Sequence, residues 1–547
     1  MEKKEHEIKY ANSFKEQFTA RGIIIGSVGA VILTCSSMFV ALKISSLPWP
    51  IMFVALVSMF GLKAIGNTNI NEINVTHTAM SAGAMVAGGL AFTLPGIWML
   101  NPSARVSSVK LLVITVGGVV LGLIFTALIR KHFIVTAELP YPMGQAAAET
   151  LKVGDRGGKK AGMLFGSLAG AAVFTIFRDA LQKIPGLKLF PSMTKFGSAG
   201  GLWFSPMLIA VGYIIGPVFI GVWFIGALVG DVGILIFGQK FAGLDMGTAL
   251  NIKASLGIGM MVGTGFAIVL KEILPRAKAI FAPMFKKNTL GDSIVPLRWA
   301  PFAMVVIAFL LTFVTKMPLI AAIVTILGVW IATAMSSQCV GQSGINPMEI
   351  FGIIVLIAAK AASSVGQVEA FFVAAVVAVA CGLVGDVMND FKAGHILNSN
   401  PKAQWLAEVV GALIGAVVSV IVLIVILKAY GPSSFGSPMF PAAQAGAVAA
   451  MVGGISHMPA FLIGLAIAIL LYFLRFPVMT LGLGVYLPFF LSATAFLGGA
   501  LRFIVNRVAP KFEDDGKGSI IAAGLLGGEA IVGVIIALVI AVKIVGA

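Results

Sequence analysis

The sequence predicts an all-α, polytopic integral membrane protein, with about sixteen helical segments in two related halves and some segments broken or re-entrant. Three observations predict it. Hydrophobic residues make up 59% of the chain and charged residues only 11%, with a mean hydropathy of +1.02, whereas about a quarter of residues are charged in soluble domains. Charge-free runs such as Leu111 to Ile129 and Val409 to Leu427 are each long enough to cross a roughly 30 Å hydrocarbon core as a helix. Short motifs from the first half return in the same order in the second.

At the amino-terminal end, Met1 to Arg21 is polar and lacks the short apolar core and small-residue cleavage site of a removable signal, so residues 1–21 read as a cytoplasmic tail and the next span as an anchor. Spans at 22–45, 48–66, 76–98, 108–130, 159–178, 204–216, 217–238 and 247–273 form a first transmembrane repeat over 22–273. Residues 274–296 form a basic cytoplasmic linker. The second repeat, 297–547, holds spans at 297–315, 318–336, 348–364, 367–388, 404–428, 458–474, 478–506 and 519–545, with 478–506 broken at Pro488.

A formal charge of +16 would suggest a nucleic-acid partner in a soluble protein. Here lysine and arginine gather in short loops, such as Arg130 to Lys160 and Lys271 to Arg298, as the positive-inside rule requires of a cytoplasmic side. No nucleic-acid partner is expected. Arg178 to Lys195 is the exception, with four basic residues on the expected outer side. Cys35, Cys339 and Cys381 show no metal-type spacing and read as small buried residues.

The duplication has an offset of about 270 residues: Ser46-Leu47-Pro48 aligns with Lys316-Met317-Pro318, and Ile73-Asn74 with Ile345-Asn346. Gly166-Ser-Leu-Ala-Gly170 matches Gly411-Ala-Leu-Ile-Gly415 at an offset nearer 245, so the second half carries an extra helix near 458–474. Internal repeats with a binding site where they meet are a secondary-transporter design. Gly162, Gly166 and Gly170 fall on one helix face and are expected to let another backbone approach closely.

Ionisable groups within spans are costly, about 2.5 to 3.5 kcal/mol each near the bilayer centre, and so mark candidate pathways. They are Glu72, His77, Glu138, Glu149, Asp179, Asp231, Glu349, Lys360, Glu369, Asp386, Glu408 and Glu529. The tract Leu139-Pro-Tyr141-Pro-Met-Gly-Gln145-Ala-Ala-Ala-Glu149 stands out. Its prolines hold the backbone extended, Gly144 permits an unusual turn, and Ala146 to Ala148 begin a helix with Glu149 in its first turn. Two readings stay open: a half-helix aiming its positive dipole end at a substrate, or a cytoplasmic loop and cap. Asn71-Glu72-Ile73-Asn74 and Ser343 to Glu349 each place amides and a carboxylate before an apolar helix. Capping explains Asn74 and Asn346, whereas the gathering of Ser336, Ser337, Gln338, Gln342 and Ser343 fits a polar cavity.

No His-Glu-x-x-His, Walker loop or Gly-x-Ser-x-Gly elbow occurs, which argues against an enzyme and against ATP drive. His77 and His457 stand alone, as packed residues or proton relays.

These residues resemble the oligopeptide transporter family, which includes the yellow stripe-like metal-chelate carriers. The resemblance covers most of the chain and rests on Asn71-Glu-Ile-Asn-Val-Thr-His-Thr-Ala-Met-Ser-Ala-Gly83, Leu139 to Glu149, Ser205-Pro-Met-Leu-Ile-Ala-Val-Gly-Tyr-Ile-Ile-Gly-Pro217, Gly482-Leu-Gly-Val-Tyr486-Leu-Pro488 and Ala522-Ala-Gly-Leu-Leu-Gly-Gly-Glu529-Ala530. It implies a prokaryotic-type, proton-coupled symporter of small oligopeptides or peptide-like metal chelates in the cytoplasmic membrane. No resident metal or cofactor is implied, only the proton gradient. Met143 and Ala84 stand where relatives often carry acidic residues; if those carboxylates couple protons, this member couples through other groups or differently, and Glu72 and Glu149 match the family pattern. The expected substrate and proton pathway comprises Glu72, Asn74, Tyr141, Gln145, Glu149, Gln338, Gln342, Asn346, Glu349, Tyr486 and Glu529. A passive channel for small polar solutes is the alternative. The expected partners are the substrate and the lipid bilayer, with a homo-oligomer left open.

Overall fold

The computed structural model describes residues 8–44, 51–156, 158–268, 270–271, 275, 294–295, 297–437, 440, 442–452 and 455–545. The linker at 274–296 falls almost wholly outside them, as do the first seven residues of the tail. Helices dominate because in hydrocarbon each backbone N–H and C=O must be satisfied within its own segment. The principal helices of the first half are α1 (Ala20–Ile44), α2 (Ile51–Ile65), α3 (Ile70–Ala91), α4 (Ser108–Arg130), α5 (Pro142–Arg156), α6 (Gly158–Thr175), α7 (Pro206–Ile215), α8 (Pro217–Ala227) and α9 (Met246–Ile268). The second half holds α10 (Ala300–Phe313), α11 (Leu319–Ser343), α12 (Met348–Ala362), α13 (Gln367–Ile396), α14 (Pro401–Tyr430), α15 (Ala443–Val452), α16 (Met458–Phe473), α17 (Val478–Tyr486), α18 (Phe489–Val508) and α19 (Lys517–Val545). Each expected span has a counterpart, so the all-α polytopic class holds.

The sequence halves interleave in space. Helix α19 lies along α6, α14 along α3, α16 along α9 and α18 along α7. Small residues bring these backbones together: a Cβ on Gly411 or Gly415 of α14 would collide with the Ala79 carbonyl or with Gly83 of α3. Helix α13 is the hub, packed against α3, α4, α5, α11 and α12, and every residue from Ala370 to Gly394 is buried. At the periphery the pattern inverts. Phe302, Phe309 and Phe313 of α10 are exposed apolar side chains, a face suited to lipid.

Two local expectations are corrected. The stripe Gly162, Gly166 and Gly170 meets no neighbour among the described residues, since a Cβ at any of the three finds nothing of them within 4 Å. The close approach to α6 comes on its other side, where a Cβ on Gly524 or Gly528 of α19 would strike the Leu164 or Leu168 carbonyl. Helix α5 begins at Pro142, not at the alanines, because Tyr141 takes a left-handed turn (φ 44°) and proline is preorganised for a first helical position. Glu149 therefore lies well inside the helix.

Three helix breaks interrupt the bundle near its middle helices. Gly216 (φ 89°) separates α7 from α8, Gly344 (φ 69°) to Pro347 separate α11 from α12, and Leu487-Pro488 separate α17 from α18. A two-stranded antiparallel hairpin, Leu187–Leu189 with Gly201–Trp203, pairs Leu187 with Trp203. Arg178, counted among the outer basic residues, turns inward and pairs with Asp179 and Glu529.

Candidate functional site

Residues from both halves line a cavity of about 190 Å³. The first half contributes Met85, Phe92, Met143, Trp203, Met207, Leu208 and Val211, and the second contributes Gly344 to Glu349, Gln444, Leu487 and Leu491. The breaks after α11 and α17 open onto it, consistent with irregular backbone surviving at membrane depth where it borders a cavity. Glu349, in the first turn of α12, is 6% exposed and makes no ion pair with any described residue. Tyr486 ends α17 immediately before Leu487, which lines the same cavity.

Asn346 heads the same break. Its Nδ2 donates to the Cys381 carbonyl at 2.8 Å, and Ser336 Oγ donates to its Oδ1 at 3.0 Å. The Pro-Tyr-Pro tract closes the break from the other half: Tyr141 is fully buried, its hydroxyl donates to the Ser337 carbonyl at 3.0 Å and its amide to the Gly341 carbonyl at 3.0 Å. Asn346 and Glu349 thus line the cavity, Tyr141 packs on the end of α11 that leads to it, and Tyr486 adjoins its wall at Leu487. Gln342 lines a separate cavity of about 510 Å³ with Lys271, Tyr472 and Arg475. Gln338, Gln145 and Glu149 are half-buried, and Glu149 makes no hydrogen bond or ion pair with a described residue.

The other expected residues do local structural work. Glu72 follows Asn69 by three residues at the start of α3, where Asn69 Oδ1 accepts from the Glu72 amide at 2.8 Å. The Glu72 carboxylate accepts from Arg21 Nε and Nη2, Thr19 and Thr68, all at 2.7 Å. Asn74 Nδ2 donates to Ser399 Oγ at 3.1 Å and ties α3 to the turn between α13 and α14. Glu529 accepts from Arg178 at 2.8 Å and from the Met207 amide at 2.8 Å, and so steadies the cavity wall at Met207. Buried Asp231 pairs with Lys253 at 2.6 Å.

A second polar site lies in the hub. Asp386 and Asp390 of α13 and Glu408 of α14 are fully buried, and one carboxylate oxygen from each lies within 4.8 Å of the others. Sequence reading singled out Asp386, Glu408 and His77 separately but missed Asp390, because it ended the span at 388. The signal was present: Asp386 and Asp390 are four apart, on one face of a helix that actually runs to Ile396.

Comparison with known proteins agrees with this architecture. The family model described as OPT oligopeptide transporter protein matches residues 17–540. A Haemophilus influenzae protein named "Putative oligopeptide transporter" is 25% identical over 603 residues, covering 93% of each chain. With broken helices from two interleaved halves meeting at a shared cavity, and that match spanning nearly its whole length, the chain belongs to the oligopeptide transporter family.

Proposed function

We propose that the protein is a proton-driven secondary transporter of small peptides, with the cavity between its halves as the substrate site. The observation that carries this reading is Glu349, a buried carboxylate that lines the cavity and has no ion-pair partner among the described residues. The α-ammonium of a peptide supplies the missing cation through a charge-assisted hydrogen bond. Met85, Met143, Met207 and Met348 make walls that repack around varied side chains. At about 190 Å³ the cavity is smaller than the roughly 300 to 1,000 Å³ usual for ligand sites, so loading needs the halves to move. Alternating access is the motion this reading requires.

One proton entering down about 100 mV supplies roughly 2.3 kcal/mol, enough for close to fiftyfold accumulation of a neutral substrate. Peptide-like metal chelates offer similar amines and carboxylates and form the second substrate class. Thermal stabilisation of purified protein by di- to hexapeptides, their N-acetylated forms and ferric chelates separates them. Free peptides at about a hundred times their Kd should stabilise by about 2.7 kcal/mol, with N-acetylation removing most of the effect. Stabilisation by chelates alone would reject the peptide assignment.

A further inference from the structure

Beside the cavity, the hub holds three carboxylates that no lysine or arginine among the described residues balances. All four carboxylate oxygens of Asp386 and Glu408 lack a hydrogen-bond partner, as does Asp390 Oδ1. Asp390 Oδ2 accepts from Ser81 Oγ at 2.9 Å. His77 of α3 is fully buried, its Nε2 lies 3.3 Å from Asp390 Oδ1, and neither ring nitrogen has a hydrogen-bond partner. Gln404, one turn before Glu408, donates to the Asp390 carbonyl at 2.6 Å and leaves its own Oε1 unpartnered and buried. The His77 imidazole therefore joins the trio with capacity unused, and Gln404 braces the Asp390 backbone beside it.

The surrounding elements do not neutralise it. Arg130 of α4 lies over the Phe391 ring, Glu72 of α3 is tied to Arg21, and Glu149 of α5 adds no positive charge. Lys392 and His395 of α13 and Lys402 of α14 make no ion pair with the trio. Three carboxylates this close, away from water, cannot all be ionised; they hold shared protons or a bound cation.

We propose that Asp386, Asp390 and Glu408, with His77 and Gln404, form a cation site separate from the substrate cavity, and that its occupant is the ion whose movement drives transport. The ligand is a small hard cation, either protons bound to carboxylate oxygens or one alkali or alkaline-earth ion held by oxygen ligands. Protons fit the present state, since each one bound cancels a charge and leaves the packing of the hub intact. The link from this site to the cavity is short in structure. Asn346 bonds to the Cys381 carbonyl, and a Cβ on Gly385 would strike Asn346 Nδ2, so residues one turn and one step from Asp386 contact the broken segment that leads to Glu349. A change in charge at Asp386 acts on the helix that Asn346 grips.

This inference rests on driven transport of peptides, and the test separates the two. Reconstituted wild type and the variants D386N, D390N, E408Q and E408D are assayed for peptide accumulation under an imposed pH gradient, under an imposed sodium gradient, and for peptide counterflow without any gradient. Wild type should accumulate peptide under one gradient, which identifies the ion. E408Q and D390N should lose at least tenfold in accumulation while keeping counterflow, and E408D should recover part of it. Wild-type accumulation in all three neutral variants overturns the cation site while leaving driven transport standing. Loss of counterflow together with accumulation in every variant assigns the trio to folding and also overturns it. A wild type that concentrates peptide under neither gradient removes driven transport and the coupling role together.

Discussion

The Gly144 amide donates to Asn389 Oδ1 at 3.1 Å, and a Cβ on Gly144 would collide with the Asn389 carbonyl. This contact seats the Pro-Tyr-Pro-Met-Gly tract on the central helix, one residue from Asp390 and beside the turn that carries Met143 into the cavity. Gly144→Ala forces backbone apart at a buried crossing, and overpacking of this kind costs about 1 to 3 kcal/mol. The variant is expected to melt lower in detergent and to lose uptake out of proportion to its loss of folded protein. Wild-type melting would mean that the two backbones are not in contact.

Glu72 is expected to hold the fold and not to carry substrate. Its carboxylate binds Arg21, Thr19 and Thr68, and it lies at the start of α3 away from the cavity lining. Hydrogen bonds to charged groups are worth about 1.5 to 3 kcal/mol each, reduced here because the Arg21 side chain is 33% exposed. Glu72→Gln should lower thermal stability by a modest amount while uptake per folded molecule stays near wild type. Abolished uptake in a protein of undiminished stability would return Glu72 to the pathway.

Glu349→Gln removes the cavity's charge and keeps its shape. Loss of a charge-assisted hydrogen bond, about 1.5 to 3 kcal/mol, corresponds to roughly a ten- to hundredfold rise in KM for peptides with a free amino terminus. N-acetylated peptides should be transported with little difference between the two proteins. Equal losses for both substrates would show that Glu349 does not read the amino terminus.

Asp231→Asn leaves Lys253 buried without its partner, and breaking a buried pair costs about 3 to 5 kcal/mol. The double variant Asp231→Leu with Lys253→Met should recover much of that stability, as measured by melting of the purified proteins. A double variant no better than the single would show that the pair's worth lies in the hydrogen bonds to Ser198 and Leu487.

The helices were legible because hydropathy and proline reported them directly: Ser108–Arg130 matches the expected 108–130, and Pro488 breaks the 478–506 segment where expected. The tract at Tyr141 stands out in the sequence through its prolines and glycine, and the structure packs it on Ser337 and Gly341. What escaped notice depends on long-range contact. Nothing local distinguishes Glu72, which meets Arg21, from Glu349, which meets no cation. Asp390 escaped because a span ended by its first polar residues stops before a buried acidic face. The stripe at Gly162 misled because spacing shows that a helix face is smooth, not that a neighbour lies on it.

The most direct test of the central claim is uptake of a small peptide into proteoliposomes holding only this protein, with an imposed inward proton gradient. The account predicts an internal concentration well above the external one, about fiftyfold for one proton at 100 mV, that collapses on adding a protonophore. Uptake that stops at equal concentrations, with or without the protonophore, would contradict it and identify a passive pore.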